Sequence, residues 1–460
     1  MTPSKTKSVN LAQVKLWGAR IGALHWDGER QLGFFEYDPD FLGSGIQVCP
    51  ITMPLPAPLP AVGNSQIYSF PNLSRQTFMG LPGMLADCLP DKFGNALIDA
   101  WLAQQGRAKH QFSPVERLCY IGSRAMGALE FEPRIDRHKP ESNPLQVETL
   151  VNLANDVLNQ RQALKLTLQS EPDDNPENKH RQRALNQIIQ VGTSAGGARA
   201  KAVIAWHPET QEVRSGQVDT PAGFEHWLMK FDGISNNRDK ELADPQGFGL
   251  VEYTYSQLAH NAGINMSQCR LFNENGRSHF MSKRFDRVLN AQGKLEKRHM
   301  LTLCGMADMD FNLAGAYGYE QAFEILQTLS MPKAELEELF RRMVFNVVSR
   351  NQDDHTKNTA FLMDKRGVWR LSPAYDVTFS YNPEGEWTQS HQMSINGKRD
   401  HFERSDFLAV AKRFSIMTSR AQDMIDQAIH ACAQWPTLAA ENGVADRVIQ
   451  HIHQCHRLDL

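Results

Sequence analysis

The chain has 460 residues, 41% apolar and 22% charged, an ordinary globular composition with length enough for two or three domains. A formal net charge of -3 argues against a sequence-independent grip on nucleic acid, which depends on Lys and Arg neutralising phosphates. The seven cysteines are scattered, odd in number and never in a CxxC pair, so neither a disulfide framework nor a thiolate zinc site is expected. The opening "MTPSKTKSVNLAQVKLW" has no apolar core of a signal peptide, and no stretch approaches the roughly 18 apolar residues of a membrane span. A soluble protein of a reducing cytoplasm, without membrane attachment, is the expectation.

Between Leu16 and Tyr37, alternation in "VKLWGARIGALHW" and "QLGFFEY" around "DGER" predicts a β-hairpin. A Pro-rich loop, "CPITMPLPAPLPAVG", follows. The spacing of apolar residues then predicts a helix over Phe93 to Leu102, with Gly106 as its stop. The stretch "RIDRHKPESNP" reads as a boundary and "QVETLVNLANDVLNQRQALKLTLQ" as an amphipathic helix. At 170–183, "SEPDDNPENKHRQR" is almost devoid of apolar residues and reads as a surface loop or linker. The expected units are a subdomain at 10–135, a helix and linker at 145–184, a β-rich lobe at 185–285 and a helical lobe at 286–460.

Residues of chemical interest begin after that linker. Gly192, Gly196 and Gly197 precede the alternating strand "AKAVIAW", and a glycine loop there lets backbone amides approach phosphate oxygens. The signal is weak alone: a flexible turn reads the same way, and neither a Walker A loop nor GxGxxG is present. In the next strand, "HWLMKFDG", Lys230 interrupts an apolar run, and a buried ammonium needs an anion beside it. The helix "GLVEYTYSQLAHNAGI" offers Glu252. A later strand, "SHFMSKRFDRV", ends in polar residues where a nucleobase could be read.

The long helix "PKAELEELFRRMVFNVVSR" runs straight into "NQDDHTKNTAFLM". Alone, that polar cluster is no more than a solvated turn leading into a strand. In phosphoryl transfer, however, an Asp orients the attacking hydroxyl, and an Asn with a second Asp holds magnesium. Asp353 and Asn358 have the five-residue separation of a kinase-like catalytic loop, and the hairpin "TAFLM"/"VWRLSP" around "DKRG" delivers Asp376 in "AYDV". Five such elements in order are hard to obtain by coincidence.

With "LADCLPDKFGNALIDAWL", "IGSRAMGALEFEP", "SAGGARAK", "HWLMKFD", "RFDR", "NQDDHTKN" and "SPAYDV" in this order, the sequence resembles the HipA family of bacterial serine/threonine kinases, toxins of HipA–HipB pairs. The resemblance implies an α+β chain: an N-terminal mixed α/β subdomain fused to a two-lobed protein-kinase-like domain, β-rich N-lobe before mainly helical C-lobe. It implies that Asp353 is the catalytic base, with His355 and Lys357 in the same signature, and that Asn358 and Asp376 bind Mg2+. ATP would be held by Lys230 and the glycine loop, Gly196, Gly197 and Lys201, with Glu252 beside Lys230 and the adenine near Lys283 to Phe285. Ser194, or Thr193 next to it, would be the site of self-inhibiting autophosphorylation. Here the loop reads "GGARAK" where the family has "GAQEK". The implied acceptor is a cytosolic protein, an aminoacyl-tRNA synthetase in the family, and the implied partner a HipB-like helix-turn-helix antitoxin, through which alone the chain meets DNA. A kinase of small-molecule hydroxyls and a non-catalytic, antitoxin-binding co-repressor remain open alternatives. His451, His453, Cys455 and His456 are spaced too closely on one helix to converge on a metal.

Overall fold

The computed structural model describes residues 8–56, 66–104, 107–135, 143–159, 191–192, 199–234, 246–290 and 292–460. The first sheet grows from period-two patterning. In β1 (Leu11–Leu16), Ala12, Val14 and Leu16 are buried while their neighbours face outward. β2 (Ala19–Asp27), β3 (Leu32–Tyr37), β4 (Ile67–Tyr68) and β5 (Leu129–Glu132) complete an antiparallel sheet in the order β4-β3-β2-β1-β5. The sequence predicts one hairpin around "DGER"; the structure adds a second, tight turn at Trp17 and Gly18. Both have positive φ, 51° and 84°, as a two-residue primed turn requires. Trp17 is an unusual residue for that turn, and its indole is fastened by a 2.8 Å hydrogen bond to Lys297 O.

Two helices follow from this region, Lys92–Gln104 and Pro114–Ile121. The second carries a capping box, in which Ser113 Oγ accepts from Glu116 N and the Glu116 carboxylate accepts from Ser113 N. After the helix Val147–Asn159 comes a second antiparallel sheet of β6 (Lys201–Trp206), β7 (Val213–Ser215), β8 (Glu225–Lys230), β9 (Cys269–Glu274) and β10 (Arg277–Lys283), ordered β7-β6-β8-β10-β9. All six residues of β6 are buried. The reason is visible in the core: Phe93 and Leu97 from the first of those helices, and Leu150 and Val151 from the third, pack with Trp206 and Trp227 in one cluster. The N-terminal region therefore lends a helix to the core of the second sheet.

The helix Phe248–Asn261 packs against β9 and β10. Gly249 makes the approach possible, because a Cβ there would lie 2.0 Å from Ser278 O. Beyond it lie the hairpin β11 (Arg287–Leu289) and β12 (Leu295–Lys297), then a small sheet of β13 (His299–Thr302), β14 (Ala360–Met363) and β15 (Trp369–Leu371). The α-helices beyond β13 are Leu303–Ala307, Tyr319–Thr328, Lys333–Val348, Arg404–Arg413, Thr418–Ala433, Trp435–Glu441 and Asp446–Cys455, with an irregular stretch over 372–403. Leu336, Phe340, Met343, Val344 and Val347 bury one face of Lys333–Val348, as their helical spacing predicts. Among the described residues no helix is long and apolar enough to cross a membrane. The polar stretch at 170–183 lies outside the described residues.

Candidate active site

Lys230 ends β8, facing Lys201 of β6 on one side and Phe280 of β10 on the other. Its ammonium is held between two carboxylates, Glu252 from the helix Phe248–Asn261 and Asp376 from the segment after β15. Burial alone would push the Lys230 pKa down; Asp376 and Glu252 more than offset it, so the ammonium keeps its proton beyond the usual lysine range. Burial likewise opposes ionisation of Asp376, yet Lys230, with Lys201 behind it, holds that carboxyl well below the usual carboxylate range. Asp376 has φ of 57°, a left-handed conformation costly for a non-glycine residue and common at functional sites. Its neighbours enforce it: Ala374 exchanges hydrogen bonds with Asn265 and Ser267 (2.8 and 2.9 Å), and Tyr375 Oη donates to Lys357 O at 2.5 Å.

The helix Lys333–Val348 aims the next group. It stops at Ser349, Arg350 turns with φ of 59°, and the chain leaves as an irregular loop. Asn358 Nδ2 donates to Asp353 O at 2.8 Å, which turns its Oδ1 into the amide atom available to a cation. Asp353 Oδ1 accepts from Trp387 Nε1 at 2.7 Å, with His355 Nε2 3.9 Å away, and Asp353 N donates to Ser380 Oγ at 3.0 Å. The adjacent Asp354 has another role. Its buried carboxylate accepts from His391 Nδ1 (2.9 Å), Gln392 N (2.7 Å) and Tyr319 Oη (2.9 Å), and these donors, led by His391, overcome burial and hold it below the usual range. Asp354 thus anchors the loop from beneath while Asp353 stays partly exposed. Lys357 Nζ lies 4.8 Å from the centre of the Phe311 ring.

Two further lysines of the sequence reading are paired with carboxylates, Lys201 with Asp91 and Lys283 with Glu225. Lys201 Nζ is 3.5 Å from Asp91 Oδ2, with both side chains almost fully buried. Asp91 begins the helix Lys92–Gln104, accepting from Gly94 N at 2.6 Å, and burial, partly countered by Lys201, pushes it up to about 6. Lys283 Nζ is 2.5 Å from Glu225 and 5.7 Å from the centre of the Trp227 ring, directed along the sheet. The amides of Lys283 and Arg284 donate to Gln268 O and His226 O (2.8 and 2.9 Å), while the Phe285 ring lies 5.6 Å from that of Tyr375. Arg199, missed in the sequence, reaches Glu252 at 3.9 Å and stacks on Phe248 at 3.7 Å. Asp91, Trp387 and His391 were also missed, since none belongs to a spacing pattern that flags it. Thr193, Ser194, Gly196 and Gly197 lie outside the described residues.

Asp354, His355, Asn358 and Asp376 line one crevice. A carboxylate and an amide oxygen are hard donors suited to Mg2+, which usually keeps several waters and completes its shell with substrate phosphate. Among the described residues no three His, Cys, Asp or Glu side chains gather as an all-protein cage. The donor set therefore fits a phosphate-bound cation.

The family model for the HipA-like C-terminal domain matches residues 193–435, and that for the HipA N-terminal domain matches residues 12–132. The chain belongs to the HipA family. HipA from the HipA, HipB and operator DNA complex of Shewanella oneidensis MR-1 superposes with a TM-score of 0.65 at 17% identity, covering 96% of this chain and 95% of that one. The fold is the HipA one, with two kinase-like lobes behind an N-terminal mixed α/β subdomain. A protein named "Putative kinase Y4mE", from Sinorhizobium fredii, is 27% identical over 126 residues, which are 26% of this chain and 30% of that protein.

Proposed function

We propose that this HipA-family chain is an ATP- and Mg2+-dependent serine/threonine protein kinase. The observation that carries the reading is the convergence of Lys230, Glu252 and Asp376 from three separate elements, beside a loop that presents Asp353 and Asn358 together. Bound MgATP would supply the phosphoryl group and an electrophilic metal that spreads its charge. Glu252 keeps the Lys230 ammonium in place to face phosphate oxygens. Asn358 Oδ1 and the Asp376 carboxylate would hold the cation. Asp353 orients the acceptor hydroxyl and takes its proton as the oxygen attacks. Almost all of this is positioning and electrostatics, which suits phosphoryl transfer.

The same reading makes Ser194 an autophosphorylation site, because a phosphate carrying about -1.5 to -2 charges would repel those of ATP. A cytosolic protein is the proposed substrate, an aminoacyl-tRNA synthetase being the class the family suggests, and a HipB-like antitoxin the proposed partner. Incubation of the purified protein with Mg2+ and ATP, followed by intact mass and peptide mapping, tests the core claim. The expected result is one added phosphate at Ser194, absent from Asp353→Ala. No phosphate on the wild type, starting from unmodified protein with ATP demonstrably bound, would overturn it.

A further inference from the structure

Between Asp376 and the helix Arg404–Arg413, the chain folds back over the catalytic loop. Two residues of that segment meet Asp353: Ser380 Oγ accepts from its backbone N at 3.0 Å, and the half-buried indole Nε1 of Trp387 donates to its carboxylate Oδ1 at 2.7 Å. The Trp387 backbone is held by Gln392, which also reaches the catalytic loop. The Gln392 side-chain amide donates to Trp387 O, to Ser390 O (3.1 Å) and to Gln352 O (3.3 Å). Gln392 N and His391 Nδ1 both bond to Asp354, at 2.7 and 2.9 Å. The indole is thus clamped through Gln352 and Asp354, the residues on either side of Asp353.

Resting on the kinase reading above, we propose that Trp387 is the positioning residue of Asp353, its indole N–H fixing the carboxylate orientation in which the acceptor hydroxyl is engaged. Indole is chemically suited to this. It donates and cannot accept, so it does not compete for the acceptor's proton as a hydroxyl or imidazole would. A neutral donor on a carboxylate makes a short, strong bond, and the ring has only two side-chain torsions to immobilise.

The test measures single-turnover autophosphorylation of the full chain with radiolabelled ATP, for Trp387→Phe in the wild-type and in the Asp353→Asn backgrounds. Loss of one charge-assisted bond predicts a rate about ten-fold lower at saturating MgATP, with the KM for ATP changed less than about two-fold. In the Asp353→Asn background the same replacement should alter the residual rate by less than about two-fold, since the carboxylate it serves is gone. A merely structural role would lower both backgrounds alike, and that result overturns the proposal. So does an unchanged or faster Trp387→Phe, which would mean that the indole occupies the acceptor's place. A wild type that transfers no phosphate refutes the kinase reading and the positioning role with it. The Trp387 indole 1H–15N resonance separates these failures, because it should move on Asp353→Asn wherever the contact exists, whatever the activity.

Discussion

Replacing Asp286 by Ala should cost about 3–5 kcal/mol of stability, the usual penalty for breaking a buried ion pair. The carboxylate is 0% exposed, and its partners Arg284 and Arg287 are 1% and 5% exposed. Oδ1 accepts from Arg284 Nε at 2.9 Å; Oδ2 accepts from Arg284 Nη2 (2.6 Å), Arg287 Nη1 (2.8 Å) and Gly127 N (2.7 Å). Four charge-assisted bonds at about 1.5–3 kcal/mol each would exceed the observed range for such losses, because water and side-chain movement recover part of the energy. What remains uncompensated is the charge of two buried guanidiniums. Arg287 also donates to Gly127 O (2.9 Å) and Ala125 O (3.1 Å), so the cluster joins the N-terminal region to the strand end beside Phe285. The assay is urea denaturation at pH 7 followed by tryptophan emission. If the chain melts as one unit of 460 residues, roughly 1 kcal/mol per kelvin of unfolding entropy turns the loss into a fall of about 3–5 °C. Burial would raise the Asp286 pKa, but Arg284 and Arg287 hold it well below its ordinary 3.8. Its contribution is therefore complete above that unfolded value and lost as pH falls through the lower folded one, so wild type and mutant should converge only below about pH 4. A loss under about 1 kcal/mol at pH 7 would refute the reasoning. Replacing Arg284, Asp286 and Arg287 together by apolar residues should recover most of the stability that the single change removes.

Three further outcomes are expected. Lys230→Met leaves Glu252 and Asp376 facing each other, so thermal melts should show a loss near 3 kcal/mol at pH 7 that lessens at pH 5, and adding Glu252→Gln should restore much of it. Tyr255→Phe removes the hydroxyl that donates to Ser349 O (2.8 Å) and accepts from His456 Nε2 (2.9 Å), which should cost about 1–3 kcal/mol and speed hydrogen exchange in the helix Asp446–Cys455. His299 is fully buried with Nε2 on Val48 O at 3.0 Å, and burial pushes its pKa from 6.5 down to about 4. The unfolded chain binds that proton first, so stability is full above pH 6.5 and falls below it; His299→Met should abolish about 2 kcal/mol of the loss between pH 7 and 5, read from urea midpoints.

Short-range pattern determined the strands "AKAVIAW" and "HWLMKF", the helix Lys333–Val348, the hairpin around "DKRG" and the chain order of Lys230, Glu252, Asp353, Asn358 and Asp376. These are legible because period-two and helical spacing, turn residues and a catalytic-loop separation are local properties. Tertiary structure decided the rest. Lys201 and Lys230 both interrupt strands facing one another, yet one pairs with Asp91 and the other with Glu252 and Asp376. Nothing local distinguishes them, since the choice depends on which carboxylate a distant segment carries to each end. Asp353 and Asp354 are neighbours of the same type, but His391, Gln392 and Tyr319 converge on one and Trp387 on the other. The turn at Trp17 is stabilised from Lys297, far along the chain. A side chain's partner is set by packing between elements remote in sequence, and burial makes that partner matter by removing the water that would otherwise satisfy every charge equally.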